Sequence, residues 1–268
     1  MRCVLLQADP VWQDLAASRE RLAAMLSQAG PLRGALVITP ELAESGFTMH
    51  PDRCCDDGSV SFAASLSRAH GCHLQHGFVE RAGDGFRNVV ALFRPDGTEL
   101  GRYAKNHLFS PAGEPRAYAA GDAASLVRVD PFRVAPLICY DLRFPELWRL
   151  AVVAGASVFT LSACWPQARQ AHWRALVIAR AIENQAFVLA CNRVGHEPNA
   201  TYAGGSLVVA PDGEVLAEAE NLATPLFAEL DPERLRGWRE RFPALRDLRR
   251  ERLGSVSTQM FGETAESR

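Results

Sequence analysis

No sign of charge dominates this sequence. Lysine and arginine number 29 and aspartate and glutamate 31, a formal net charge of −2. That balance gives a polyanion or an acidic membrane surface little to hold, so neither nucleic acid nor membrane is expected as a partner. Long apolar runs are missing too. The longest, Ala151 to Cys164, is broken by glycine, serine and threonine and is too short to span a bilayer. The N-terminus lacks the charged start, apolar centre and cleavage site of a secretory leader, and Met1 to Ala8 reads as a first strand. The seven cysteines are odd in number and follow no framework spacing. Free thiols in a reducing cytoplasm are the expectation, with the adjacent pair Cys54-Cys55 incidental. There is no P-loop, dinucleotide fingerprint or HExxH, so no cofactor and no metal is expected. Nor does a linker rich in Gly, Ser or Pro divide the chain. With 268 residues, 48% of them hydrophobic, one domain over 1–253 is expected. The polar tail 254–268 would then be loose or an arm onto a neighbouring subunit.

What is present is an ordered succession of strands and helices. Asp14 can cap a helix in which Leu15, Leu22, Leu26 and Ala29 recur at helical spacing, ended by Gly30-Pro31. Ala35 to Thr39 reads as a strand, Ser59 to His70 as a helix, Cys72 to Glu80 as a strand. Two hairpins turn on Pro-Asp-Gly, one at Pro95-Asp96-Gly97 and one at Pro211-Asp212-Gly213. Between them lie an antiparallel pair (Leu126–Val129 with Arg133–Ile138), helices over Pro145–Ala154 and Ala168–Gln185, and strands over Ser157–Ser162 and Ala186–Cys191. Asp231-Pro232 opens a last helix, rich in arginine from Arg234 to Arg252. Its interspersed acids make that stretch a solvated, salt-bridged face. Strand-helix units followed by hairpins, occurring twice, predict two sheets packed face to face with helices outside.

Three residues stand just past predicted strands. Glu41 follows Ile38-Thr39-Pro40. Lys105 follows the second arm of the first hairpin. Cys139 ends the apolar run Val134–Ile138 and opens Tyr140-Asp141-Leu142-Arg143-Phe144-Pro145-Glu146. Open sheets carry their chemistry at strand C-terminal ends. A carboxylate, an ammonium and a thiol on one rim supply a base, a cation and a nucleophile. Pro145 suits the first position of a helix, and a helix start favours an anion, so the thiol is expected to have a lowered pKa. Alone, a cysteine after an apolar strand reads as buried packing; the two companions turn that reading toward chemistry.

The segments Pro40-Glu41, Lys105-Asn106-His107-Leu108-Phe109 and Cys139 to Glu146 resemble, in order, the Glu-Lys-Cys signature of the nitrilase (carbon–nitrogen hydrolase) superfamily. Ser45-Gly46-Phe47, Trp165-Pro166, Arg180 to Gln185 and Cys191 to Gly195 narrow the likeness to the omega-amidase branch, whose members hydrolyse 2-oxoglutaramate and related omega-monoamides of dicarboxylic acids. The likeness runs to about residue 245. It implies an α/β fold, a four-layer α-β-β-α sandwich of two sheets, and a homodimer or higher homo-oligomer with helices near 145–185 as the interface. It also implies roles. Glu41 would be base and then acid, Cys139 the nucleophile that forms a thioester. Lys105 and the backbone N–H of Tyr140 would hold the oxyanion. Glu114, matching a second glutamate beside the lysine, would align a small amide substrate. Arg143 would take the remote carboxylate, for which a planar guanidinium is suited. Phe47 and Trp165 would be apolar walls.

Plainer readings stand beside these. Glu114 could be a surface charge, Arg143 a surface residue, and Phe47 and Trp165 simple core. His70, Cys72, His73 and His76 invite a zinc reading, but strand alternation puts His73 on the face opposite Cys72 and His76. His107 could mimic the partner in a Cys-His hydrolase; packing or support of the lysine competes with that. Cys164 and Cys191 end apolar strands without the sequel that follows Cys139 and read as core. Another branch activity (nitrilase, N-carbamoyl amidase, deaminated glutathione amidase) and a non-catalytic binding module on the same scaffold complete the alternatives.

Overall fold

A strand with two apolar faces needs cover on both sides. β1 (Arg2–Gln7) is such a strand: Cys3 and Leu5 enter one core cluster, Val4 and Leu6 another. The structure, a computed structural model, describes residues 1–262. α1 (Leu15–Gln28) follows, with Asp14 accepting from the Ala17 N–H at 3.0 Å as its cap. β2 (Leu36–Ile38), α2 (Gly58–His70), β3 (His73–Ala82), β4 (Gly85–Phe93) and β5 (Glu99–Ala104) complete the first half. After one turn, α3 (Glu114–Ala117), come β6 (Ala123–Val129), β7 (Phe132–Ile138), α4 (Pro145–Val153), β8 (Val158–Ala163), α5 (Gln170–Asn184) and β9 (Phe187–Asn192). The hairpin of β10 (Val194–Glu197) and β11 (Ala200–Ala203) precedes β12 (Leu207–Val209), β13 (Val215–Glu218), β14 (Thr224–Glu229), α6 (Pro232–Arg241) and β15 (Ser257–Phe261).

Six strands form one sheet in the order β14-β1-β2-β3-β4-β5, and seven form the other in the order β13-β12-β9-β8-β7-β6-β15. Their inner faces share a core in which Leu5, Leu36 and Ile38 meet Val134, Val158, Phe187 and Leu189. The outer face of the first sheet is covered by α1 and α2 through Leu26, Ala63 and Leu66. That of the second is covered by α4 and α5 through Trp148, Trp173 and Val177. The result is the α-β-β-α sandwich expected from the sequence. Both Pro-Asp-Gly turns form as read, with Gly97 at φ 82° and Gly213 at φ 91°, the left-handed region where glycine carries no Cβ penalty.

Polar side chains cross between the sheets near one end. Ser162 Oγ donates to the Thr39 carbonyl at 2.7 Å, and Gln75 Nε2 donates to Ser162 Oγ at 3.0 Å. β1, β2 and β3 are parallel to one another, as are β7, β8 and β9. β5, two antiparallel steps from β3, runs the same way as β3. The ends of β2, β5, β7 and β8 therefore reach one rim.

The sequence reading and the structure part company in the C-terminal quarter. The arginine-rich helix stops at Arg241 rather than running to Arg252. Phe242 precedes Pro243, whose ring disfavours a helical conformation at the residue before it, and Phe242 sits at φ −132° and ψ 82°. Short 3₁₀ turns over Ala244–Asp247 and Arg250–Arg252 follow. Residues 257–261, read as part of a polar tail, form β15 and pair in parallel with β6 of the same chain. The rest of that tail, 263–268, lies outside the described residues. β10, β11 and β14 were not legible, because their apolar and polar residues do not alternate cleanly. Among the described residues no helix is long and apolar enough to cross a membrane.

Candidate active site

Glu41, Lys105 and Glu114 meet beneath the shared rim, each at 1% exposure or less. Lys105 Nζ donates to Glu41 Oε1 at 2.7 Å and to Glu114 Oε1 and Oε2 at 3.0 and 2.9 Å. Burial opposes the charge on this ammonium, but the two carboxylates outweigh it and hold the lysine pKa well above its ordinary value. Each carboxylate is anchored from a second element. The Cys164 amide, just past β8, donates to Glu41 Oε2 at 2.9 Å, so the second sheet fixes a side chain carried by the first. The Phe109 amide donates to Glu114 Oε2 at 2.5 Å.

Cys139 begins a 3₁₀ turn, Cys139–Arg143, directly after β7, and its φ of 44° is left-handed for a residue with a Cβ. Such strain persists only where neighbours impose it. Asp141 does so. Its buried carboxylate accepts from the Ile138 amide at 3.1 Å, the Tyr103 hydroxyl at 2.8 Å and the His107 amide at 2.9 Å, and His107 Nδ1 lies 2.8 Å away. Arg180 Nη2 adds a bond of 2.8 Å to the Leu142 carbonyl.

The thiol behaves opposite to the sequence expectation. Burial first, then the negative charge of Glu41, push the Cys139 pKa well above the usual thiol value, with Lys105 pulling the other way. The helix proper starts only at Pro145, beyond the 3₁₀ turn, so its dipole does not decide the matter. A proton acceptor is needed before the sulfur can attack, and Glu41 is the carboxylate whose charge it feels.

Above this floor lies a cleft of about 940 Å³, lined among others by Phe47, Phe109, Cys139, Tyr140, Arg143, Cys164, Trp165, Arg169 and Tyr202. Phe47 places its ring centroid 5.1 Å from Lys105 Nζ. Tyr140 packs edge-on against Phe109 with centroids 5.0 Å apart. Arg143 lies over the Trp165 ring at 4.8 Å, and its Nη2 is 3.3 Å from His172 Nδ1. All eight residues singled out from the sequence are thus drawn to one site, five on the cleft wall and three beneath it.

Sequence reasoning missed Asn88, Asp141 and Glu197. Asn88 Nδ2 donates to Glu41 Oε1 at 2.7 Å and to Glu114 Oε1 at 3.0 Å. Glu197, on the β10–β11 hairpin, accepts from the Phe47 amide at 2.8 Å and the Tyr202 hydroxyl at 2.7 Å, and pairs with Arg193. His107 serves neither as a thiol partner nor as lysine support. It bonds Asp141 and stacks on Phe144 at 3.8 Å. Cys164, read as core, is buried as expected but also lines the cleft and bonds Glu41 through its backbone. His76 is held between Thr39 and Glu44 at 3.2 and 2.8 Å. Among the described residues no grouping of His, Cys, Asp and Glu is arranged to hold a metal.

A family model described as Carbon-nitrogen hydrolase matches residues 4–240. "Omega-amidase YafV" of Yersinia enterocolitica is 37% identical over 251 residues, 92% of this chain and 96% of that one. "2-oxoglutaramate amidase" of Bacillus subtilis (strain 168) is 35% identical over 221 residues, 81% and 85% of the two chains. The crystal structure of XC1258 from Xanthomonas campestris, a CN-hydrolase superfamily protein with an arsenic adduct in its active site, superposes with a TM-score of 0.87. It shares 34% identity over 92% of this chain and 97% of that one.

Proposed function

Because this chain belongs to the carbon–nitrogen hydrolase family and is an amidase, we propose that its substrates are omega-monoamides of dicarboxylic acids, 2-oxoglutaramate foremost, cleaved through a thioester on Cys139. The observation that carries this reading is the buried Glu41–Lys105–Glu114 chain of contacts under a cleft that holds both Cys139 and Arg143.

The Cys139 proton passes to Glu41 as sulfur attacks the amide carbon. That transfer removes the charge on Glu41 that had been neutralising Lys105. The ammonium then faces the new oxyanion, with the Tyr140 N–H as second donor, while Glu114 keeps it in place. Glu41 returns the proton to the amide nitrogen, the C–N bond breaks and ammonia leaves. Water then adds to the thioester, giving its proton to Glu41, and the acid is released as the thiol is restored. Charge orients the substrate. Two carboxylates and one ammonium leave the floor with a net negative charge, so the neutral amide end enters first and the carboxylate stays outward with Arg143. The same floor repels the carboxylate formed by hydrolysis, which favours product release.

The test is ammonia release from 2-oxoglutaramate, succinamate, a short aliphatic nitrile and an N-carbamoyl amino acid under one set of conditions. The two monoamides are expected to give the highest kcat/KM. A nitrile or carbamoyl compound in first place would overturn the substrate assignment.

A further inference from the structure

A second arginine faces the same cleft. Arg169 ends the 3₁₀ turn Gln167–Arg169, and its guanidinium carbon sits 5.2 Å from the Phe109 ring centroid. Its backbone is pinned, since Trp165 Nε1 donates to the Arg169 carbonyl at 2.8 Å. Trp165 is also the platform for Arg143. One indole therefore sets both the ring under one guanidinium and the main chain that carries the other. Among the described residues neither arginine forms an ion pair. An arginine paired with a carboxylate has its donors occupied; one set against an aromatic wall of a cleft, with no carboxylate partner, keeps donors for an incoming anion.

We infer that Arg169 is a specificity residue that acts with Arg143 on the outward end of the substrate, where a carboxylate carries an adjacent oxo oxygen. This inference rests on the omega-amidase reading given above. A 2-oxo acid presents three acceptor oxygens at that end. One guanidinium fork satisfies the two of the carboxylate, which leaves the oxo oxygen for the second arginine. A plain monoamide lacks that third oxygen and gains nothing from the second cation. An amino group at the same carbon brings a positive charge toward two guanidiniums and is disfavoured. The pair of arginines thus selects an oxo acid amide over both its deoxygenated and its aminated relatives.

The experiment compares kcat/KM for 2-oxoglutaramate and glutaramate, which differ only in the oxo group, in the wild type, Arg169→Met and Arg169→Lys. Arg169→Met keeps the apolar stem against Phe109. It is expected to lower the 2-oxoglutaramate to glutaramate ratio about tenfold or more, as loss of a charge-assisted hydrogen bond would, with glutaramate changed by less than about threefold. Arg169→Lys, a point charge without the fork, should fall between. An unchanged ratio in Arg169→Met, whether both substrates fall or neither does, overturns the inference. So does a wild type that uses the two substrates equally well, which leaves the omega-amidase reading standing. A wild type that hydrolyses neither monoamide removes that reading and the inference together.

Discussion

Asn88 donates its side-chain amide to Glu41 Oε1 at 2.7 Å, on the same oxygen that Lys105 reaches. Cys164 N holds Oε2. An ionised carboxylate offers about four acceptor positions, and three are taken by fixed N–H donors. The one left over is the position a thiol proton can use. Asn88 therefore aims the base as well as packing beside it.

Asn88→Ala is expected to lower kcat for 2-oxoglutaramate about tenfold to hundredfold while KM changes by less than about threefold, because the residue touches Glu41 and Glu114 and not the outward end of the cleft. Steady-state ammonia release separates the two constants. A variant keeping more than half of wild-type kcat would show that Lys105 and Cys164 orient Glu41 without help.

Lys105 stands between two buried carboxylates with no solvent access to any of the three side chains. Removing one partner of a buried ion pair leaves an uncompensated charge and costs about 3–5 kcal/mol. Lys105→Met should lose activity and much of its thermal stability together. Adding Glu114→Gln removes one of the stranded charges, so the double variant should recover a good part of the lost melting temperature and none of the activity. Calorimetry alongside the ammonia assay reads both. A stable but inactive Lys105→Met single variant would mean the pocket rehydrates or protonates a carboxylate at little cost.

Much of the scaffold is written in local pattern, and the reason is burial. Both-sided cover makes β1, β7, β8 and β9 continuous apolar runs. Lys105 and Cys139 directly follow β5 and β7, and Glu41 stands just beyond the end of β2 at Ile38, so strand ends point to them. The partners that aim them carry no such mark. Asn88 lies inside β4, and Glu197 lies on a short hairpin with no periodicity; only the register between strands brings them to Glu41 and Phe47. Asp141 sat within a segment already singled out, yet its grip on the Cys139 turn needs Tyr103 and His107 from elsewhere. The rise in the thiol pKa was hidden for the same reason. A helix start is visible in sequence, whereas depth of burial and a carboxylate from the other sheet are not.

That rise bears on how Cys139 should meet an electrophile. A thiol held protonated by burial is slow until a base takes its proton. Iodoacetamide is itself a primary amide and can occupy the cleft with Glu41 positioned to do so. Mass spectrometry at neutral pH is expected to show Cys139 alkylated well ahead of the other six cysteines, and Glu41→Gln is expected to slow that step about tenfold or more. Uniform labelling, or labelling indifferent to Glu41→Gln, would favour a binding module on this scaffold over the mechanism proposed.

Thiols away from the site set an alkaline limit on the fold. Burial raises Cys72 from 9.0 to about 11, and burial, then the nearby Glu229 charge, raises Cys3 from 9.0 to about 12. Well below pH 9 each is protonated in both the folded and the unfolded chain and pH changes little. Between pH 9 and 11 the unfolded chain releases the Cys72 proton while the folded chain keeps it. The unfolded state then binds fewer protons and stability falls as pH rises, by up to about 1.4 kcal/mol per pH unit for each such group. For Cys72 the loss levels off near pH 11, where the folded thiol ionises too. Urea unfolding at pH 8.5, 9.5 and 10.5 should show this decline. Cys72→Ala, though less stable at pH 8.5 for lost packing, should decline less steeply over the upper interval by about the share of one thiol. Parallel curves for the variant and the wild type would mean that water reaches Cys72 in the folded protein and that its burial does not control its proton.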